Sequence, residues 1–265
     1  MTDQERSKVK DSAALRKRIL RFFSHESQSR QEITSFLDQC LIYGNPLIFG
    51  GCLRDIAIFG IKEFGSDIDI VFDGEKRLLG EICEPYRFSL NKYGGYRGSL
   101  QNWDIDIWPL AETWAFREGL VDLTGIESLL KTTIMNWDAI VFDWKNKKLI
   151  SKESYLKDLN EGYLDIILEE NPNPLGATVK ILRTIAIKGT TYLSKDICSF
   201  LTKNLNNREN EKIIEKEFKT YRNSFLSANF IEEIKKLAYE GEDQIFPTRV
   251  TRYFETKSLL TKKDY

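Results

Sequence analysis

The stretch Phe49-Gly-Gly-Cys-Leu-Arg-Asp55, followed at short range by Ser66-Asp-Ile-Asp-Ile-Val-Phe72, constrains this chain more than any other. The apolar run Leu47, Ile48, Phe49 leads into paired glycines, and Leu53, Ile56, Ala57 and Gly60 then recur at helical spacing. The segment therefore reads strand, glycine turn, helix. Gly50 and Gly51 permit close backbone approach, and the amides and positive dipole end of the helix they open favour an anion such as a triphosphate. Arg54, in the first turn, is expected to reach the same phosphates.

In the strand that follows, alternation puts Asp67 and Asp69 on one face and Ile68, Ile70 and Phe72 on the other, towards a core. The pattern returns in Trp103-Asp-Ile-Asp-Ile-Trp-Pro109, where Asp104 and Asp106 share a face opposite Ile105 and Ile107. Facing carboxylates on neighbouring strands repel by roughly 0.2–1 kcal/mol per pair unless a cation lies between them. Magnesium suits such an all-oxygen environment. The alternative is a pair of half-buried strands with solvated acidic faces.

These residues resemble a known family. Gly50-Gly51, Arg54-Asp55, the Asp67-x-Asp69 pair and the later acidic strand are similar to the head domain of bacterial CCA-adding enzymes and poly(A) polymerases, within the polymerase β nucleotidyltransferase superfamily. Thr133-Ile-Met-Asn136, the strand Ala139-Ile-Val-Phe142, the Asp158-Leu159 turn and Val179-Lys-Ile-Leu-Arg-Thr184 follow in the order of that family's post-catalytic strand, connector and neck helix. The resemblance covers roughly residues 40 to 200, and the ordered set is far more specific than any one motif. It implies an α+β fold, with a small mixed β-sheet nucleotidyltransferase head flanked by helices and followed by an all-helical domain.

For the site, the resemblance implies nucleotidyl transfer assisted by Mg2+, with Mn2+ as a substitute. Asp67, Asp69 and Asp106 are expected as metal-binding and catalytic carboxylates. Asp106 is chosen because its setting, Asp106-Ile-Trp108, is like the family's third carboxylate, and Asp104 remains open. Gly50, Gly51, Arg54, Ser66, Lys180 and Arg183 are expected to contact the NTP, ATP or CTP. Lys180 and Arg183 lie three apart on one helix face and read equally well as ordinary neck-helix charges. Arg97, in the glycine-rich loop Tyr93-Gly-Gly-Tyr-Arg-Gly98, is within reach of a nucleotide, although a structural turn is the simpler reading of that loop.

Two departures bear on specificity. Where CCA-adding enzymes carry a Glu-Asp-x-x-Arg template for the incoming base, this chain has Gly176-Ala-Thr-Val-Lys180, without the carboxylate that would select the base. Lys131-Thr132 replaces a basic-acidic pair, and the long body and tail helices that grip a tRNA acceptor arm do not follow in this sequence. The expected acceptor is an RNA 3′ end, with a protein or small molecule as the alternative, and a turnover-deficient nucleotide-binding module as a third reading.

Composition narrows the remaining classes. The 265 residues are 42% hydrophobic and 30% charged, with a net charge of −1, so they carry no global signature of a polyanion binder. The segment Lys8, Lys10, Arg16, Lys17, Arg18, Arg21 is locally basic and reads as a solvated helix face, or else as an RNA-contacting patch. A single histidine, His25, makes a histidine triad or zinc cluster unworkable. Cys40, Cys52, Cys83 and Cys198 lack metal-ligand spacing and read as reduced, buried thiols. A polar N-terminus and no long apolar run point to the cytoplasm, without a membrane partner. A partner protein or homo-oligomer is compatible with the reading.

The expected organisation is an N-terminal helical segment over 1–40, the head over 41–170 and a helical neck and C-terminal domain over 171–265. Asn171-Pro-Asn-Pro174 marks the second boundary. Residues 11 to 41 are expected as one or two amphipathic helices, Leu78 to Tyr86 as a connector, and Leu110 to Lys131 as a packed helical segment.

Overall fold

The computed structural model describes residues 9–61, 67–101, 103–206 and 208–240, so Lys8 and Ser66 lie outside the described residues. The chain divides into two compact units, residues 1–133 with 137–156, and residues 134–136 with 157–265. The helices before residue 41 thus belong to the first unit, and the division falls ahead of the Asn171–Pro174 segment. No helix among the described residues is long and apolar enough to cross a membrane.

The first unit opens with two helices, α1 (Ser12–Phe23) and α2 (Gln28–Leu41). Asp11 caps α1 by accepting from the Ala14 amide at 2.7 Å. Leu15, Ile19, Phe22 and Phe23 form its buried stripe, and Ile33, Phe36, Leu37 and Cys40 form that of α2. Lys10, Arg16, Lys17 and Arg21 are exposed. Arg18 instead donates to the Ile56 and Ala57 carbonyls, each at 3.3 Å.

The chain then enters β1 (Gly44–Phe49), α3 (Gly51–Phe59), β2 (Ile68–Gly74) and α4 (Lys76–Cys83). It continues through β3 (Ser89–Leu90), β4 (Tyr96–Leu100), β5 (Trp103–Pro109), α5 (Trp114–Arg117), β6 (Ile140–Asp143) and β7 (Lys148–Ser151). Among the described residues these strands make one mixed sheet in the order β3-β4-β5-β2-β1-β6-β7. The β2–β5 pair is parallel and every other neighbour is antiparallel.

Asn45 through Phe49 are all buried, so β1 lies within the core on both faces. Gly44 pairs with Gly74, and a Cβ on either would come within 2.6 Å of the Phe72 ring, which explains glycine on both strands at this end of the ladder. Two expectations are corrected. Leu78 to Tyr86 is mostly the helix α4, which buries Leu79, Ile82 and Cys83, with a 3-10 turn over Glu84–Tyr86. Leu110 to Lys131 is not a packed helix but 3-10 turns at Leu110–Glu112 and Ile126–Lys131 around the single turn α5. Gly119, at φ +68°, stops α5 by turning the backbone left-handed. All four cysteines are buried and none is in a disulfide.

The second unit contains α7 (Pro174–Ile187), α8 (Lys195–Leu205), α9 (Asn210–Tyr221) and α10 (Ala228–Glu240), after a helix α6 (Tyr155–Glu161) that bridges the division in sequence. Asn173 caps α7 by accepting from the Gly176 amide at 3.1 Å, with Pro174 in the first turn. Besides its helices the unit has a two-residue parallel pair, β8 (Tyr163–Leu164) with β9 (Tyr192–Leu193). Asn136 stitches it at the start. Its amide donates to the Asp165 carbonyl and its side-chain oxygen accepts from the Asp165 amide, both at 3.0 Å.

At the β6–β7 turn, Asp143 accepts from Asn45 Nδ2 at 3.0 Å, from the Asn146 amide at 3.0 Å and from Asn146 Nδ2 at 2.7 Å. Burial alone would raise this carboxyl, but the donors from Asn146 and Asn45 outweigh it and hold it below its ordinary value. Its stabilisation is therefore present above the unfolded carboxylate value of about 4 and is lost as pH falls through the lower folded value. Asp143→Asn is expected to lower stability at neutral pH and to flatten the acid limb of a stability–pH curve measured by urea unfolding.

Candidate active site

The glycine turn forms where β1 ends and α3 begins. Gly50 adopts φ +70°, ψ −121°, a conformation that side chains rarely adopt, and its amide donates to the Ile140 carbonyl of β6 at 3.0 Å. Among the described residues no side chain caps α3, so the first-turn amides of Gly51, Cys52 and Leu53 lie outside the helical ladder at the positive end of its dipole.

Arg54 does not extend from this turn towards solvent. It is buried, with Nε donating to Asp55 Oδ1 at 2.7 Å and Nη1 to Asp138 Oδ1. Burial alone would disfavour its charge, but Asp138 and Asp55 outweigh that and raise it above an ordinary arginine. Beside this group Tyr155 donates from its hydroxyl to the Trp137 carbonyl at 3.1 Å, and burial pushes its phenol up. The guanidinium thus ties the first turn of α3 to the segment before β6, under the glycines. The structure thus places Arg54 in a buried ion-pair group and not at the exposed face of the turn.

The acidic strands meet as neighbours. Asp69 of β2 stands opposite Asp106 of β5, with Ile68 opposite Ile105 and Ile70 opposite Ile107. All four isoleucines are fully buried, whereas Asp69 and Asp106 are half-buried and Asp67 and Asp104 are exposed. Asp104 Oδ1 accepts from the Ser99 hydroxyl at 2.6 Å, while Asp106 faces Arg97 across the β4–β5 ladder. Burial raises the Asp106 carboxyl, Arg97 opposes that, and Asp67 and Asp104 add to it.

Arg97 places Nη2 3.3 Å from Asp67 Oδ2 and Nη1 3.6 Å from Asp106 Oδ2. Among the described residues no group of three or more His, Cys, Asp or Glu side chains converges as a preformed metal cluster. The carboxylates are instead drawn towards a guanidinium. Their chemistry still fits a hard divalent cation: the donors are all carboxylate oxygens, they share one face, and a positive charge already lies between two of them.

The loop before β4 is a built turn. Asn91 Oδ1 accepts from the Tyr93 and Gly95 amides at 2.9 and 3.1 Å, and Arg117 Nη1 donates to the Tyr93 carbonyl at 3.1 Å. In the second unit, Lys180 is half-buried on α7. Arg183 is buried, paired with Glu217, donates to Asn223 Oδ1 at 3.0 Å and lies 4.0 Å over the Tyr221 ring. The fully buried Glu217 also accepts from the Phe225 and Leu226 amides at 3.0 Å each, so Arg183 is engaged in the packing of this unit.

Sequence reasoning missed Asp138, Tyr155 and Ser99. Asp138 carried a signal, because a lone carboxylate inside Trp137-Asp-Ala-Ile-Val-Phe142 needs a buried counter-charge. Asp138→Asn is expected to cost about 3–5 kcal/mol in chemical unfolding, since it leaves Arg54 buried with half of its compensation.

No family model and no curated protein matches the chain. Solved structures do. A tRNA-processing enzyme in an apo form superposes with TM-score 0.54 at 17% identity, covering 83% of this chain and 58% of its own. A CCA-adding enzyme with ATP gives TM-score 0.54 at 17% identity, covering 84% and 53%. The Thermotoga maritima CCA-adding enzyme complexed with tRNA gives TM-score 0.53 at 15% identity, covering 90% and 53%. At these identities the likeness shows the fold alone: a mixed-sheet unit followed by a mainly helical one. The chain spans little more than half the length of the structures it matches.

Proposed function

We propose that this chain is a metal-dependent nucleotidyltransferase that moves a nucleoside monophosphate from an NTP to an acceptor hydroxyl, with an RNA 3′ end as acceptor and pyrophosphate as the leaving product. The observation that carries the reading is the parallel register of Asp69 against Asp106, with Asp67 one alternation earlier, beside an uncapped helix end opened by Gly50 and Gly51. Solved CCA-adding enzymes of the same fold hold ATP in one case and tRNA in another.

Asp67, Asp69 and Asp106 would hold Mg2+ or Mn2+. Such ions supply Lewis-acid stabilisation of phosphoryl oxygens and activation of the attacking hydroxyl. The chain's own residues do the rest. Gly50, Gly51 and the first-turn amides of α3 bind the β- and γ-phosphates, favoured by the dipole and unobstructed by any side-chain cap. Arg54 keeps that turn in place from beneath. Asp106 is preferred to Asp104 because it stands opposite Asp69, whereas Asp104 is engaged by Ser99. Ser66 and Lys180 remain nucleotide contacts in this proposal, and ATP and CTP its candidate substrates.

A protein or small molecule is the second acceptor considered. Where the resemblance would place the base-selecting template the chain has Gly176-Ala-Thr-Val-Lys180, without a carboxylate, so selection among NTPs is expected to be weak. The test is incubation with Mg2+, each α-labelled NTP in turn and total cellular RNA, resolved on a denaturing gel. Labelled RNA is expected, reduced by a factor on the order of 10²–10³ in Asp67→Asn and Asp69→Asn. Carboxylate-dependent label on protein or a small molecule would favour the second acceptor, and transfer indifferent to both substitutions would sink the reading.

A further inference from the structure

Three arginines lie in or near the motifs of this chain, and two are buried in ion pairs. Arg97 is different. Its side chain is 57% exposed, and the partners that locate it are the carboxylates of Asp67 and Asp106. The position is imposed by the sheet: β4 sets Arg97 opposite Asp106, and β5 sets Asp106 opposite Asp69. The guanidinium therefore lies across the face where the acidic strands converge.

We propose that Arg97 is the resident counter-ion of this carboxylate cluster, and that a divalent cation must displace it to bind. The inference rests on the nucleotidyl-transfer reading of the site and adds a positioning residue to it. A guanidinium at 3.3 Å from Asp67 and 3.6 Å from Asp106 uses the same oxygens that a metal needs. Two cations cannot share them at contact distance without strong repulsion. The exposed pairs are weak and screened, so the arginine is displaceable, and a compact double charge outcompetes a delocalised single one. Before the metal arrives, the same guanidinium offsets repulsion between carboxylates held side by side by register. The residue thus lowers metal affinity while keeping the site assembled.

The experiment titrates Mn2+ alone, with no nucleotide or acceptor, onto the full chain and reads free Mn2+ by electron paramagnetic resonance. Arg97→Gln is expected to bind Mn2+ about 3- to 10-fold more tightly than the parent, from removal of one like charge at a screened surface site. Arg97→Lys, which retains the charge, should stay near the parent, and Asp69→Asn should lose binding. Thermal unfolding without metal should begin earlier in Arg97→Gln and be restored by Mn2+. Equal or weaker binding by Arg97→Gln, with Asp69→Asn still defective, overturns the counter-ion role and leaves the transfer reading standing. No Mn2+ binding by either the parent or Arg97→Gln overturns both.

Discussion

The parallel pairing of β2 with β5 is the interaction on which the site depends, because it brings like charges together and must be stabilised from its other face. Asp69 against Asp106 costs a few tenths to about 1 kcal/mol as a facing pair. Behind them Ile68, Ile70, Ile105 and Ile107 are fully buried, and each contributes roughly 1.5–3 kcal/mol. A slip of one residue would exchange the faces, burying the carboxylates and exposing the isoleucines. The core thereby holds an arrangement that electrostatics alone would reject.

Arginine chemistry shows how the same residue type is put to different ends. Arg54 is enclosed between Asp55 and Asp138 and braces the glycine turn, and Arg183 is enclosed by Glu217, Asn223 and Tyr221 within the second unit. In both, the charge is compensated and immobile, since breaking a buried pair strands a charge away from water. Arg97 remains exposed on a strand, where its ion pairs are exchangeable. Burial, more than identity or spacing, separates an architectural arginine from one able to respond to a ligand.

Much of the first unit was legible in advance. Strand, glycine turn and helix at 47–60, and alternation in both acidic strands, follow from short-range periodicity that tertiary packing reinforced. Less legible were the stretches with mixed signals. Leu110 to Lys131 is apolar enough to suggest a helix, yet Gly119 and Gly125 break it into turns. The two-residue β3 and the four-residue edge strand β7 pair with the adjoining strand of a local hairpin, but they are too short for alternation to register.

The sequence by itself determined which residues face the core, where the backbone can turn at Gly50, and that carboxylates at 67, 69, 104 and 106 share strand faces, because alternation and glycine's freedom are local properties. Only the tertiary structure decided that Asp106 stands opposite Asp69, that Arg54 and Arg183 are buried while Arg97 is exposed, and that Asp138 supplies a counter-charge from 84 positions away. Strand order, register and burial are set by contacts between distant segments, and those contacts fix which charges meet.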